Sequence, residues 1–391
     1  MTRLAVISNQ AFSLINFRGP LIRALTDVGV QVYALAPDYD ADTRAGVVAL
    51  GAQPVDYSLS RAGMNPLYDG LDVLRLVRLL RRLKPDVTLS YFIKPVIYGT
   101  LASWLARVPR RYAMIEGLGF VFTDGGQRLP LRRRLLRAAV RGLYRAALAR
   151  AQRVVFLNRE DIDDFVRSGL VAEDKVCCLG GIGVDLTEWS PVPTVTMPVT
   201  FVLVARLLRE KGIVEYVEAA ARVRHQHPDV RFVLLGGLDP NPGGLSQAEL
   251  DAWVRAGLVE WPGHVAVRPW LAKASVFVLP SYYREGVPRS TQEAMAMARP
   301  VITTDAPGCR ETVVEGDNGF LVPIRDVDAL VERMLAFVRE PALIETMGRR
   351  SRALAEARFD VRRSNAELIR VMELDSGGGA DSVSVAAGAL K

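Results

Sequence analysis

The chain is expected to be an α/β protein built from two Rossmann-like domains facing one another across a cleft, and three observations support this. Its 391 residues exceed what one domain holds at about 150 residues per domain. Short apolar, β-branched runs alternate with longer helical patterns, the mark of βαβ units on a parallel sheet. The alternation is broken once, by three prolines within EWSPVPTVTMPVT (188–200), and then restarts.

The first series of strands reads LAVIS near 4–8, VQVYALA at 30–36, DVTLSY at 86–91, YAMI at 112–115, RVVFLN at 153–158 and KVCCL at 175–179. The amino terminus lacks the apolar core and small-residue cleavage site of a signal peptide, so it reads as a strand and the chain is expected to stay in the cytoplasm. After the prolines come TFVLVAR at 200–206, RFVLLGG at 231–237, ASVFVLP at 274–280, RPVITTD at 299–305 and GFLVP at 319–323. Helical patterns near 326–338, 341–357 and 361–374 close the chain, and the Gly- and Ser-rich end has no periodicity. The expected division is a first domain over 1–188, a linker over 189–199, a second domain over 200–360, a closing helix over 361–375 and a disordered tail over 376–391.

Composition narrows the class. With 50% hydrophobic and 24% charged residues, wholesale disorder and a polytopic membrane protein are both excluded. Cys177, Cys178 and Cys309 cannot build a disulfide framework, and His225, His227 and His264 lack zinc-ligand spacing, so a reducing compartment and no metal are expected.

The net charge of +7 is uneven: residues 1–190 hold 26 Lys and Arg against 18 Asp and Glu, and the remainder 24 against 25. Residues 131–153 carry eight Arg and no acid. Arg133, Arg137, Arg141 and Arg145 recur at helical spacing, with Arg134 beside them. Such a basic amphipathic helix suits an anionic membrane surface. The alternative is a core-packed helix with a solvated Arg face. No aromatic stacking pattern accompanies the charge, so nucleic acid is not an expected partner.

In doubly wound sheets ligands lie beyond the carboxyl ends of strands. Directly after TFVLVAR stand Arg206 and Lys211-Gly212, in an R-x4-K-G pattern. Two cations on one strand-to-helix turn suit a diphosphate and the charge that builds as it leaves; a solvated basic loop is the alternative. After ASVFVLP, Glu285 and Glu293 are separated by seven residues. Pro288 favours the first turn of a helix, whose N–H groups at Arg289 to Thr291 suit a phosphate.

The E-x7-E spacing preceded by LPS, joined to R-x4-K-G, resembles the donor site of the retaining glycosyltransferases of family 4, which have the GT-B fold. GVD (183–185), GGLDPNP (236–242) and APGCRETV (306–313) add to the resemblance. IEGLGFVFTD (115–124), FIKPVIYGTLAS (92–103) and INFRGPLIRAL (15–25) look like the subgroup that extends polyprenyl-diphosphate-linked sugars. The resemblance implies that Glu285 contacts donor-sugar hydroxyls, Glu293 holds the ribose, and Arg206 and Lys211 grip the diphosphate. Gly237, Gly286, Val287, Pro288, Ser290 and Thr291 complete the expected donor site. Where many members have a His, this chain has Glu116, and a Gly-Gly loop after the first strand is replaced by the segment from Asn9 to Arg18.

The acceptor is expected to meet Asn9, Arg18, Lys94, Glu116, Gly117 and Gly119. For Glu116 the alternative is a structural ion pair with an Arg, and for Arg18 and Lys94 a surface cation. Asp38, Asp40 and Asp42 form a D-x-D-x-D run read as a solvated loop rather than a metal site. The expected reaction is metal-independent transfer from a UDP-linked N-acetylhexosamine, GalNAc or GlcNAc, to a polyprenyl-diphosphate-linked saccharide, on the inner face of the plasma membrane. A UDP-sugar 2-epimerase and a non-catalytic nucleotide-sugar-binding protein are the alternatives.

Overall fold

A computed structural model describes residues 1–59, 66–119, 131–241 and 243–375. The expected disordered tail, 376–391, lies outside the described residues. Seven strands form the first sheet: β1 (Arg3–Ile7), β2 (Gln31–Ala36), β3 (Gln53–Asp56), β4 (Val87–Tyr91), β5 (Arg110–Ile115), β6 (Arg153–Phe156) and β7 (Val176–Cys178). Six form the second: β8 (Thr200–Val204), β9 (Arg231–Leu235), β10 (Glu260–Gly263), β11 (Val276–Leu279), β12 (Val301–Thr304) and β13 (Gly319–Val322). The orders are β3-β2-β1-β4-β5-β6-β7 and β10-β9-β8-β11-β12-β13, with every pair parallel.

Two strands escape the sequence pattern, β3 (QPVD) and β10 (EWPG). Each sits at the edge of its sheet, where a proline is tolerated because one side of the strand needs no ladder donor. Neither is fully buried, so neither carries the apolar run that reveals the inner strands.

Alternation along β1 sets the layers. Leu4 and Val6 join a core with Leu14, Leu21, Leu25 and Val47, whereas Ala5 and Ile7 join Leu76, Val77, Leu80 and Ala102 on the opposite face. That opposite face is continued by Ala113 and Phe156 against Val140, Tyr144 and Leu148. The helices before β3 therefore cover one side of the sheet. Helix Pro66–Leu83, the helical segment 95–105 and helix Leu131–Leu148 cover the other, as right-handed crossovers require when the strand order reverses at β1.

Residues 360–374 leave the second domain for the first. Val184 and Val361 N–H groups bond across at 2.9 and 3.1 Å to Phe359 and Val184 carbonyls. Helix Val361–Val371 then packs on helix Gly19–Asp27, and Arg110 Nη1 donates to the Glu373 carbonyl at 2.9 Å. The last helix thus belongs to the packing of the amino-terminal domain.

Candidate active site

The carboxyl ends of the two sheets face a common cleft, and its floor is where the domains touch. The segment after β5 meets the loop after β11: Gly117 and Glu285 form an antiparallel bridge, and Leu118 and Gly119 donate their N–H groups to the Arg284 carbonyl at 3.1 and 3.3 Å. Gly117 has φ +110°, and a Cβ there would lie 2.6 Å from the Gly286 nitrogen. Only glycine lets the two backbones approach this closely. Asn158, the N-cap of helix Arg159–Arg167, donates from Nδ2 to the Gly286 carbonyl at 2.9 Å. Arg284 reaches back to Asp161 at 2.8 Å and Asp164 at 2.6 Å. Both domains therefore shape the loop that carries Glu285.

The donor-side residues converge on that loop. Gly212 turns at φ +74°, and a Cβ would sit 2.1 Å from the Pro280 oxygen, so the Arg206-to-Gly212 turn lies directly against the end of β11. Lys211 ion-pairs with Glu285, whose Oε1 also accepts from Ser281 Oγ at 3.0 Å. Arg206 pairs with Asp239 at 2.9 Å. The Tyr283 ring lies 5.9 Å from Arg206 Cζ and 4.8 Å from Lys211 Nζ, so both cations flank one aromatic face. Gly237 holds the turn by accepting the Leu207 N–H at 3.1 Å.

Pro288 is the N-cap of helix Arg289–Ala296, one position earlier than expected. Its fixed φ suits the entry, and the first-turn N–H groups belong to Arg289, Ser290 and Thr291, with no side-chain cap on the helix. Gly286, Val287 and Pro288 are buried beside it. Thr291 Oγ1 is buried without a hydrogen-bond partner among the described residues. Glu293 is pushed up to about 7 by burial, which Arg289 opposes from 2.9 Å. Arg289 also donates to the Asn16 carbonyl and stacks on Phe17, bridging the cleft.

The acceptor side is different. Arg18 is buried, ion-pairs with Glu116 and stacks over Tyr91 at 4.8 Å. Burial raises the Glu116 carboxyl and Arg18 opposes the rise. The structural ion pair expected as the alternative for Glu116 is what the structure contains. Lys94 pairs with Asp69 at 3.1 Å, and Tyr98 donates to the other Asp69 oxygen at 3.0 Å. Arg18 and Lys94, expected to offer charge to an acceptor, are each paired with a carboxylate, Arg18 buried and Lys94 12% exposed, because an unpaired charge inside the domain is costly. Asn9 Oδ1, just beyond β1, is buried without a hydrogen-bond partner among the described residues.

The aspartate run serves local structure. Asp40 caps helix Ala41–Ala49 through Thr43, and Asp38 accepts the Ala11 N–H at 2.7 Å. No group of His, Cys, Asp or Glu suited to a metal occurs among the described residues. On helix Leu131–Leu148, Arg134 is exposed and Arg137 and Arg141 are half-buried; the Arg133 side chain lies outside the described residues. Arg145 is exposed and also donates to the Gly169 carbonyl at 2.8 Å. No helix among the described residues is long and apolar enough to cross a membrane.

Sequence reasoning missed Asn158, Asp239, Tyr283, Arg284 and Arg289. Asp239, Tyr283 and Arg284 lie inside or beside the quoted motifs, so adjacency was a usable signal. Asn158 and Arg289 meet partners 128 and 273 residues away, and no local pattern announces that.

Residues 198–340 match the family described as "Glycosyl transferases group 1", and residues 18–180 match "Glycosyl transferase 4-like domain". The chain is 28% identical over 357 residues to the N,N'-diacetylbacillosaminyl-diphospho-undecaprenol alpha-1,3-N-acetylgalactosaminyltransferase of Campylobacter jejuni, covering 87% of this chain and 90% of that one. It is 24% identical to the UDP-Gal:alpha-D-GlcNAc-diphosphoundecaprenol alpha-1,3-galactosyltransferase of Escherichia coli, covering 83% and 87%. Among solved structures, Anabaena HepE in complex with UDP and glucose superposes with a TM-score of 0.75 at 18% identity, covering 95% of this chain and 99% of that one. The 2-epimerase alternative has no support among these relatives.

Proposed function

Because the chain belongs to the family 4 glycosyltransferases, retaining enzymes of the GT-B fold, we propose that it moves an N-acetylhexosamine, GalNAc or GlcNAc, from a UDP-sugar to a polyprenyl-diphosphate-linked saccharide. The setting is bacterial surface-glycan or glycoprotein assembly on the inner face of the plasma membrane. Both undecaprenyl-diphosphate relatives support the acceptor class by name, and the HepE complex supports the nucleotide.

One observation carries the reading: the Glu285 loop is gripped by Lys211 from one domain and bridged by Gly117 from the other. A donor sugar at Glu285 therefore lies where the acceptor domain arrives. The bond from the anomeric carbon to the diphosphate breaks first, its electron pair passing to the phosphate oxygen. Arg206, Lys211 and the N–H groups at Ser290 and Thr291 stabilise that charge, so the reaction as proposed needs no metal. The acceptor hydroxyl attacks the face the diphosphate leaves, through a short-lived oxocarbenium-like ion pair, and its proton passes to the departing phosphate oxygen. Glu285 orients the sugar and Glu293 holds the ribose. Glu116, held by Arg18, and Asn9 position the acceptor, and Gly117 and Gly119 let that segment close on the loop that carries Glu285. The arginines of helix Leu131–Leu148 hold the domain on anionic lipid.

A panel of nucleotide sugars offered with a short-chain polyprenyl-diphosphate monosaccharide tests this. An α-linked disaccharide on the lipid, formed from a UDP-N-acetylhexosamine, is the expected product. Transfer to soluble acceptors alone would overturn the lipid reading, and donor binding without turnover would favour a non-catalytic role.

A further inference from the structure

We propose that the three helical segments following β3, β4 and β5, and not helix Leu131–Leu148 alone, form a docking face for an anionic lipid bilayer; this rests on the membrane reading above. Helix Pro66–Leu83, segment 95–105 and helix Leu131–Leu148 lie side by side on one face of the first sheet. Their outward surface is unusual in what it exposes. Of sixteen exposed large apolar side chains among the described residues, seven are here. They are Tyr68, Leu71 and Leu74 on the first helix, Trp104 and Leu105 on the middle segment, and Leu135 and Leu136 on the last.

The charge on this face has one sign. Arg75, Arg78, Arg81 and Arg82 are exposed along the second half of helix Pro66–Leu83, and Arg134 is exposed on the far helix. The only carboxylates in the three segments, Asp69 and Asp72, are buried. Acids stand at its borders, Asp56 in the groove that Arg75, Arg78 and Arg82 line and Asp163 and Asp164 on helix Arg159–Arg167. Between them, apolar side chains interleaved with arginine suit the boundary between headgroups and acyl chains, where apolar groups enter and cations meet lipid phosphate. A second copy of this chain is a poor occupant, because the same face would set arginine against arginine. The layer is tied into one surface: Arg81 donates to the Leu105 carbonyl at 3.1 Å, and Arg150 stacks over Trp104 at 4.2 Å.

Placement relates this face to the cleft. The three segments follow β3, β4 and β5, whose carboxyl ends face the cleft, so their amino-terminal halves lie nearest to it. Tyr68, Leu71, Leu74, Leu135 and Leu136 all fall in those halves. Docked by this face, the protein holds the cleft open at the bilayer surface, within reach of a lipid-linked diphosphate.

The test is co-sedimentation of the full chain with phosphatidylglycerol-containing vesicles and with pure phosphatidylcholine vesicles. R78E/R82E and L71S/L74S are the variants, and each is checked by circular dichroism. Each pair is expected to lower partition onto anionic vesicles about tenfold. High salt should weaken binding of the wild type and of L71S/L74S far more than that of R78E/R82E, since screening acts on the charges alone. Turnover with a water-soluble short-prenyl acceptor should be unchanged in both. Wild-type partition by both variants overturns the proposal, while release only on changing Arg134 and Arg141 restores the single-helix reading. Self-association through this face, seen as dimers by light scattering that R78E/R82E abolishes, overturns it as well. Loss of transferase activity on every acceptor with vesicle binding intact counts against the proposed reaction and not against this surface.

Discussion

The two halves of the cleft pair their cations alike but differ in one arginine, Arg206 being half exposed and Arg18 buried. On the donor side Arg206 and Lys211 stand at the ends of strands, facing carboxylates that belong to the same site, Asp239 and Glu285. On the acceptor side Arg18 is folded inward against Glu116, and Lys94 pairs with the buried Asp69. The difference teaches that a cation after a strand is not by itself a ligand-binding group. What differs between the two lysines is the partner, since Asp69 is buried and also accepts from Tyr98 whereas Glu285 lies on the loop where the two domains meet.

The largest effect should come from the donor side. Lys211→Ala is expected to lower kcat by about 10² to 10³, measured by steady-state sugar transfer, because a charge donor to the leaving diphosphate is lost. Unimpaired turnover would erase the contrast between the halves. Lys94→Met should act on stability instead: leaving Asp69 buried without its cation costs about 3 kcal/mol in urea unfolding, with the acceptor KM unchanged. A raised acceptor KM with normal stability would return Lys94 to the acceptor site.

Arg284→Ala sharpens the comparison at the junction itself. It strands Asp161, which is almost fully buried and whose carboxyl burial pushes up to about 6 against the pull of Arg284. About 2 kcal/mol of stability should be lost, and adding Asp161→Asn should restore part of it. The smallest effect concerns pH. Burial pushes the Glu293 carboxyl up to about 7 against the pull of Arg289, and in the proposed site only the ionised carboxylate would accept from both ribose hydroxyls. The donor KM should therefore fall a few-fold as pH rises through about 7, and Glu293→Gln should flatten that profile. A profile unchanged by the substitution would remove Glu293 from the ribose.

Much of this was legible in the chain because it is local. Inner strands buried on both faces must be continuous apolar runs, so their number and order of appearance could be read directly. Motifs such as Arg206 to Gly212 and Glu285 to Glu293 lie on single turns, where spacing alone fixes geometry. The edge strands β3 and β10 were invisible because half-buried strands with proline carry no such run. The arginines of 131–145 stand out in sequence, but the bond from Arg145 to the Gly169 carbonyl does not.

By itself, then, the sequence determined the two parallel-sheet domains and the family, because periodicity and short-range spacing encode both. Only the tertiary structure decided which charges are spent inside the protein, how Gly117 and Asn158 from one domain shape the Glu285 loop of the other, and that the last helix returns to the first domain. Each of those depends on groups more than a hundred residues apart meeting in space, and no periodicity in the chain records such a meeting.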